Sequence, residues 1–364
     1  MGQKRMAYLD MAKGIGIILV VLGHSNYLPD NVLTVITSFH MPLFFILSGM
    51  LIRHTGEDRR PFRQIILRRL KSIMLPYAVF SVVYLLIYGG YFCCVSGSLT
   101  PEYIRELAIQ AVSLNGMSVL WFLTALFFAL LLFFAVRKSF SKRVSVVVLL
   151  GAALSACVSG PSVVGLIPAE SLGLQLLSGF LYALLRGTAG AGFLTLGWAA
   201  MAGFEKADEE AAKTASNKFS KKFFIELSAG ILCLGLTVPL SLYNGRVDLR
   251  YMQFHFFPVY ILCACLGTLS VLFICRCLPP LKWLSYLGAN SIIIMVTHVD
   301  CQYMLLSTRL GELLSSLSPR QSRFLFFAGA ALCMTVLELI TIYLTNRFVP
   351  FLFGRKSENV RGNN

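Results

Sequence analysis

The feature that most constrains this chain is a series of long stretches without Asp, Glu, Lys or Arg. Nine of them have 16 residues or more, at positions 14–29, 31–52, 72–101, 107–136, 144–169, 187–204, 227–245, 251–275 and 283–299. A tenth apolar segment, 324–350, is interrupted by Glu338 and Arg347. A helix needs about 20 apolar residues to cross the hydrocarbon core of a bilayer. The sequence therefore predicts an all-α, polytopic integral membrane protein.

The breaks between these stretches define about ten predicted transmembrane helices. They lie near 8–28, 32–52, 74–95, 119–136, 144–161, 183–204, 223–242, 256–276, 284–306 and 324–346. The segment 166–182 contains Pro168 and Glu170 and is too short and broken for a further span. We predict that it is re-entrant or interfacial.

The distribution of basic residues predicts how the spans are oriented. With the N-terminus inside, the cytoplasmic segments hold 24 Lys and Arg residues, the opposite side holds 7, and Lys13 lies within the first span. Cytoplasmic loops retain an excess of Lys and Arg. The bias predicts a multi-pass protein of the plasma (inner) membrane whose N- and C-termini are both cytoplasmic.

The composition disfavours two other kinds of protein. Only 13% of the residues are charged, against about 25% in soluble domains, so we attribute the net charge of +15 to membrane topology rather than to binding of nucleic acid. The ten cysteines lie mostly in apolar runs, and none forms a C-x-x-C pair. We interpret them as small packing residues and expect no metal site.

The first predicted span carries a stripe of polar residues. Lys13 and His24 are 11 residues apart, which is about three turns of helix, so they share one face about 16 Å apart. Asp10 lies one turn before Lys13 on the same face. The structural alternatives to a functional stripe are an interfacial ion pair, a snorkelling lysine and an interhelical hydrogen bond from His24.

Two more histidines are predicted near the outer side of the membrane, as His24 is. His40 enters the second span after a short turn, which allows it to approach His24. His298 lies late in the ninth span, with Asp300 two residues further on. The pair Ser48-Gly49 lacks the surroundings of a serine nucleophile, and we interpret it as a close helix contact.

A run of basic residues leads into the third span. It ends with Arg68, Arg69 and Lys71, just before Leu75-Pro76-Tyr77. Positive-inside topology combined with anionic lipid accounts for the run. A cytoplasmic site for a phosphorylated cofactor accounts for it too, because guanidinium groups bind phosphate through two hydrogen bonds. The spacing leaves both interpretations open.

Together these motifs resemble the acyltransferase-3 family of membrane O-acyltransferases, especially its fucose 4-O-acetylase-like branch. The matching residues are 9–24, ending in Leu22-Gly23-His24; His40-Met41-Pro42-Leu43-Phe44-Phe45 with Ser48-Gly49; Arg69-Leu70; Leu75-Pro76-Tyr77; Leu120-Trp121-Phe122-Leu123; Asn244-Gly245-Arg246-Val247-Asp248; and His298. The family usually has Arg where this chain has Lys13, and lysine keeps the charge without the bidentate fork.

The resemblance implies a single acyltransferase-type membrane domain over residues 1–350 and a short polar cytoplasmic tail over 351–364. It implies transfer of an acyl group, usually acetyl, from cytoplasmic acetyl-CoA to a hydroxyl of a carbohydrate or glycolipid acceptor. No metal is implied. Combined with the predicted orientation, the resemblance implies that the donor binds at the inner surface and the acceptor near the outer side.

Residue roles follow from the resemblance together with the spacing. The catalytic candidates are His24 as general base, supported by His40, His298 and Asp10. The candidates for binding the phosphates of acetyl-CoA are Lys13, Arg68, Arg69 and Lys71. The candidates for binding the acceptor are Trp121, Asn244 and Asp248.

Two alternatives remain open. A covalent acetyl-histidine relay can replace direct transfer to the acceptor. Ten helices with buried histidines can also form an exporter or transporter of a polysaccharide or small molecule. A transporter does not require the stripe from Lys13 to His24 or the arginine run, so those two features favour the enzyme.

Overall fold

Charge-poor segments of this length fold as helices, because a helix satisfies its own backbone hydrogen bonds where no water is present. The computed structural model describes residues 6–24, 28–91, 101–168, 170–213, 218–299, 313, 316 and 322–355. Within these ranges the chain is all-helical and contains no strand. The predicted all-α fold class is confirmed.

The helices are numbered here in chain order. The α-helices of the described ranges are α1 (Ala7–Gly23), α2 (Asp30–Thr55), α3 (Phe62–Arg69), α4 (Leu75–Tyr91), α5 (Pro101–Val112), α6 (Trp121–Ser139), α7 (Lys142–Val158), α8 (Gly160–Gly165), α9 (Leu172–Lys213), α10 (Lys218–Asn244), α11 (Phe257–Cys277), α12 (Lys282–Ala289), α13 (Ser291–Thr297) and α14 (Ser322–Phe348). A π turn over Leu70–Met74 joins α3 to α4. Turns of 3-10 helix lie at Glu57–Arg59, Ser118–Leu120 and Pro350–Phe353.

Several helical stretches have the length and composition to cross a membrane. In the part of the chain that the structure describes there are five, namely Asp30–Thr55, Phe62–Gly90, Ser118–Ser139, Lys222–Asn244 and Phe257–Cys277. Each overlaps one of the predicted spans. The full set of ten and the orientation with both termini inside stay predictions.

The helix α9 extends further than the sequence pattern predicted. It has 42 residues and begins at Leu172, so it includes the last 11 residues of the segment 166–182 that we predicted to be re-entrant or interfacial. Pro168 lies in the break before it, and the sequence from Leu172 to Lys213 contains no proline. A helix without an internal proline has no steric reason to stop. Its last residues, from Glu205 onward, are mostly charged.

Glycines allow α2 and α9 to pack backbone against backbone. A Cβ atom at Gly49 in α2 would collide with the backbone carbonyl of Leu194 in α9, and one at Gly197 in α9 would collide with that of Ile46. Small residues at a crossing allow close van der Waals contact, which drives helix association in lipid. The predicted role of Ser48-Gly49 as a helix contact is therefore confirmed.

A second close crossing fixes α1 within the molecule. Gly14 faces the carbonyl of Leu284 in α12, and Gly288 in α12 faces the carbonyl of Asp10 in α1. The helix α1 also packs against α2, α11 and α13. The helix that carries Asp10, Lys13 and His24 is therefore surrounded by protein.

The residues directly after 350 are part of the folded domain. Phe353 is buried and packs against Phe80 in α4, with ring centroids 6.3 Å apart. Arg355 donates a hydrogen bond from Nη2 to the carbonyl of Ala289 at 2.7 Å. Phe353 and Arg355 thus contact helices that precede them, the boundary at 350 stays a prediction, and residues 356–364 lie outside the described ranges.

Candidate active site

Two histidines from opposite ends of the sequence meet at the ends of α1 and α13. His24 follows directly after α1, and His298 follows directly after α13. The distance from Nε2 of His298 to Nδ1 of His24 is 3.4 Å, and the ring centroids are 5.0 Å apart at an interplanar angle of 75°. His298 is fully buried, whereas His24 is exposed. Residues 25–27 and Asp300 lie outside the described ranges.

Backbone carbonyls determine which ring nitrogens carry hydrogen. Nδ1 of His24 lies 2.9 Å from the carbonyl oxygen of Val20, and Nδ1 of His298 lies 2.8 Å from that of Ile294. A carbonyl oxygen can only accept, so each Nδ1 is the donor in the neutral ring. Nε2 of His298 then holds a lone pair and accepts a share of the hydrogen on Nδ1 of His24. This leaves the lone pair of His24 on Nε2.

This arrangement can support proton abstraction. A histidine that acts as general base needs a lone pair on the ring nitrogen that faces the substrate. A group that accepts the hydrogen of the other ring nitrogen fixes the tautomer and stabilises the imidazolium that forms. His298 occupies the orienting position that a carboxylate takes in a Ser-His-Asp triad. His24 thus has the geometry of a base, and His298 that of its orienting partner.

The third predicted histidine lies within electrostatic range of His24. His40 is buried in the middle of α2, and its Nδ1 donates to the carbonyl of Ile36 at 2.8 Å. It is close enough to His24 for the two rings to interact electrostatically. The structure therefore brings all three predicted histidines to one region.

A buried carboxyl group contacts Thr297, the residue before His298, and the sequence alone assigns it no role. The hydroxyl of Thr297 lies 2.9 Å from Oε2 of Glu338 in α14, and the other carboxyl oxygen has no hydrogen-bond partner among the described residues. Glu338 is 4% exposed. Its isolation in the apolar segment 324–350 was the available signal, because an acidic residue facing lipid would be costly.

The three predicted acceptor residues take different positions. Trp121 begins α6 and is largely buried. The side-chain oxygen of Asn244 accepts a hydrogen bond from the backbone N–H of Phe256 at 3.1 Å. Asp248 accepts one from the backbone N–H of Arg250 at 2.8 Å. Asn244 and Asp248 thus shape the loop between α10 and α11, which leaves their contact with a sugar a prediction.

The predicted donor-binding residues separate into two kinds. Glu57 is buried, and Arg69 forms both a hydrogen bond and an ion pair with it. The Arg68 guanidinium lies 3.8 Å from the same carboxylate, but 61% of its side chain is exposed. Lys71 is exposed as well. Arg69 is therefore occupied by a structural partner, while Arg68 and Lys71 face solvent.

Lys13 and Asp10 lie where α1 crosses α12. Both side chains are partly buried. The helix is unbroken from Ala7 to Gly23, so the predicted separation of about 16 Å between Lys13 and His24 applies. The stripe expected from spacing is thus present on a continuous helix.

Long apolar helices, with two histidines in contact at the ends of α1 and α13, are features of a membrane protein that carries a candidate active site. The family model described as an acyltransferase domain matches residues 6–343, nearly the whole chain. The chain therefore belongs to the acyltransferase-3 family, which supports membrane acyltransferase activity. No curated protein and no solved structure matches the chain significantly.

Proposed function

We propose that the protein transfers an acetyl group from cytoplasmic acetyl-CoA to a hydroxyl of a carbohydrate or cell-envelope glycan, with His24 as general base. The observation that carries this proposal is the hydrogen bonding of His24. Val20 and His298 hold its Nδ1–H, which leaves the basic Nε2 on an exposed ring. The choice of acetyl and of a sugar acceptor comes from the resemblance to the fucose 4-O-acetylase-like branch.

The reaction needs one base and no redox partner. Nε2 of His24 takes the proton of the acceptor hydroxyl while the hydroxyl oxygen attacks the carbonyl carbon of the thioester. The tetrahedral intermediate collapses, the carbon–sulfur bond breaks and the ester forms. The departing thiolate of CoA takes the proton from the imidazolium. His298 stabilises that imidazolium through the lone pair on its Nε2.

The donor approaches along α1 in this proposal. Lys13, Arg68 and Lys71 provide positive charge for the nucleotide phosphates at the cytoplasmic side. The pantetheine arm then follows the helix, and its reach is comparable to the separation of about 16 Å between Lys13 and His24. The thioester thus arrives beside the imidazole, and the acceptor approaches from the outer side.

A relay through acetyl-histidine uses the same nitrogen. In that variant Nε2 of His24 attacks the thioester itself, CoA leaves, and the acceptor hydroxyl then takes the acetyl group. Brief incubation with labelled acetyl-CoA followed by quenching separates the two routes. The relay leaves label on the protein, whereas direct transfer leaves it only in acceptor and donor.

The test uses native membrane vesicles, which contain the glycan acceptor, supplied with acetyl-CoA labelled in the acetyl group. We expect label in the glycan fraction, and we expect His24→Ala to reduce its rate of appearance by about 10²–10⁴-fold, the usual contribution of a general base.

The matched control is His54→Ala, which replaces a histidine at the far end of α2, 3.8 Å from Glu205, and should retain the rate. Full transfer by His24→Ala would overturn the mechanism. If the wild type transfers no label but loss of the gene stops glycan export, the protein is an exporter.

A further inference from the structure

A buried cation in α9 takes no part in the chemistry proposed above. Arg186 is only 4% exposed. Its Nη1 donates to the backbone carbonyl of Asn115 at 2.7 Å, and its Nη2 donates to the side-chain oxygen of the same residue. Its Nε has no hydrogen-bond partner within the described ranges. Among the described residues no carboxylate lies within 4.0 Å of the Arg186 guanidinium. Its hydrogen-bonding partner is therefore the neutral residue Asn115 and not an anion.

Burying a cation without a counter-ion is costly. The effective penalty is several kcal/mol per ion, and a neutral amide offsets only part of it. Two aromatic rings contribute further, since the guanidinium carbon lies 5.8 Å from the ring centroid of Trp121 and 5.9 Å from that of Tyr182. Neither ring supplies a negative charge. The site thus has an excess positive charge and an unused donor.

A second cation adds to this excess. Arg250, in the loop between α10 and α11, is half-buried and interacts electrostatically with Arg186 as a like charge. Asp248 is also within electrostatic reach, where its negative charge offsets one of the two arginines, and its oxygen accepts hydrogen bonds from the backbone of Arg250 and Tyr251. With two arginines and one carboxylate, this region keeps a net positive charge, and the unused Nε–H of Arg186 is a donor suited to an anion.

The position of Arg186 links it to the histidine pair. Asn115 lies just before the 3-10 turn Ser118–Leu120, and this turn packs against α13. His298 ends α13 and contacts His24. Trp121, which faces Arg186, follows the same turn. Arg186 is therefore connected to α13, the helix that His298 follows, through Asn115 and this turn.

We propose that Arg186, together with Arg250, binds an anionic group on the acceptor, a carboxylate or a phosphate, and so positions a charged sugar for acetylation. This inference rests on the proposed function for the acetylation step, whereas binding of the anion does not depend on it. Bidentate recognition by a guanidinium suits both groups.

Binding is tested with purified full-length protein and three sugars of similar size. Glucuronic acid carries a carboxylate, glucose 1-phosphate carries a phosphate, and glucose carries neither. We expect the thermal midpoint to rise with one or both charged sugars at millimolar concentration and not with glucose, since a ligand of the folded state stabilises it. The sugar that gives the larger shift identifies the anion. Equal shifts with all three sugars, or none with any, would overturn the inference.

Variants distinguish ligand binding from a structural role for Arg186. Arg186→Gln should weaken binding of the charged sugar by at least about tenfold. Arg250→Gln should weaken it too, and this residue is only half-buried, so its variant is expected to fold. The matched control is Asn115→Ala, which removes a side-chain partner of Arg186 but keeps the cation. If Arg186 only secures the loop, Asn115→Ala and Arg186→Gln will have equal effects and Arg250→Gln none.

A parallel measurement with acetyl-CoA separates this inference from the proposed function. Stabilisation by acetyl-CoA without stabilisation by either charged sugar would remove the anion site and leave the acetyltransferase intact. Stabilisation by a charged sugar alone would retain the anion site and argue against acetyl-CoA as donor.

Discussion

At the scale of single residues, the orientation of one imidazole decides whether His24 can act. Its Nδ1–H is shared between the Val20 carbonyl and Nε2 of His298. A ring in the other tautomer would present an N–H to the acceptor and could not take its proton. His298 is therefore a positioning residue, because it acts through His24 and not on the substrate.

Replacing His298 tests this role. We expect His298→Ala to lower kcat by about 10–100-fold with little change in the KM for acetyl-CoA, since the tautomer and the imidazolium of His24 lose their support. His298→Gln places an acceptor oxygen near the position of Nε2 and should recover part of kcat. Steady-state kinetics measure both values. Wild-type kcat in His298→Ala, or equal losses in the two variants, would contradict the role.

The sequence identifies these residues one at a time and allows His40 to approach His24, but it does not pair His24 with His298. His24, His40 and His298 are polar groups in apolar stretches, which is enough to make them candidates. His24 and His298 are 274 positions apart in the chain, so their contact depends on how α1 and α13 pack. Arg186 and Glu338 carry the same signal of a charge in an apolar context, and we gave them no role because their partners lie on other helices.

At the scale of helices, the crossing of α2 and α9 depends on two glycines, which have no side chain to separate the backbones. Gly49 and Gly197 face backbone atoms of the opposite helix, so any larger residue there must push the helices apart. Ser48-Gly49 was predictable as a contact because small residues mark helix interfaces in membranes. The partner helix was not predictable, because α9 contains small residues along most of its length.

Enlarging Gly49 tests the crossing. We expect Gly49→Leu to destabilise the protein by about 1–3 kcal/mol or more, the usual cost of overpacking a tight interior. Gly203→Leu in α9 is the matched control, because nothing lies within 4 Å of the position its Cβ would take. Thermal unfolding in detergent compares them. Equal midpoints for the two variants would show that the crossing is not tight.

The basic run before α4 combines a structural and a functional element. Arg69 pairs with buried Glu57, whereas Arg68 and Lys71 face solvent. The sequence could not separate these roles, because the partner carboxylate lies in a neighbouring turn. That carboxylate belongs to Glu57, the first residue of the 3-10 turn Glu57–Arg59 that follows α2.

Single substitutions in this run should therefore have different effects. Arg69→Ala leaves Glu57 buried without its closest partner, so we expect a loss of stability of about 3 kcal/mol. Arg68→Ala should leave stability within about 0.5 kcal/mol and raise the KM for acetyl-CoA. Thermal unfolding and initial rates test the two expectations. An unchanged KM in Arg68→Ala, and in a variant that also lacks the charge of Lys71, would assign the run to topology alone.

At the scale of the whole molecule, the predicted excess of basic residues on the cytoplasmic side gives the proposed reaction its direction. The all-helical fold was predictable, because apolar stretches of this length form membrane-spanning helices. The ends of α9 and the packing of Phe353 and Arg355 were not, because they depend on contacts between distant segments. The orientation determines which end of the Lys13–His24 stripe meets acetyl-CoA.

Reporter fusions test this orientation. A fluorescent protein that folds only in the cytoplasm should give signal when fused after Asn364 and when inserted in the basic segment 59–63. The same reporter inserted beside Arg246 in the loop after α10 should give none. Signal from the insertion beside Arg246, or its absence at the C-terminus, would reverse the predicted entry side of the donor.

Mass spectrometry of the cell-envelope glycan tests whether His24 catalyses its O-acetylation. Cells lacking the gene are compared with cells supplied with the wild-type chain, with His24→Ala or with His54→Ala, each at matched membrane abundance. We predict that the wild type and His54→Ala restore the mass increment of an O-acetyl group and that His24→Ala does not. Full acetylation in cells that contain only His24→Ala would contradict the claim.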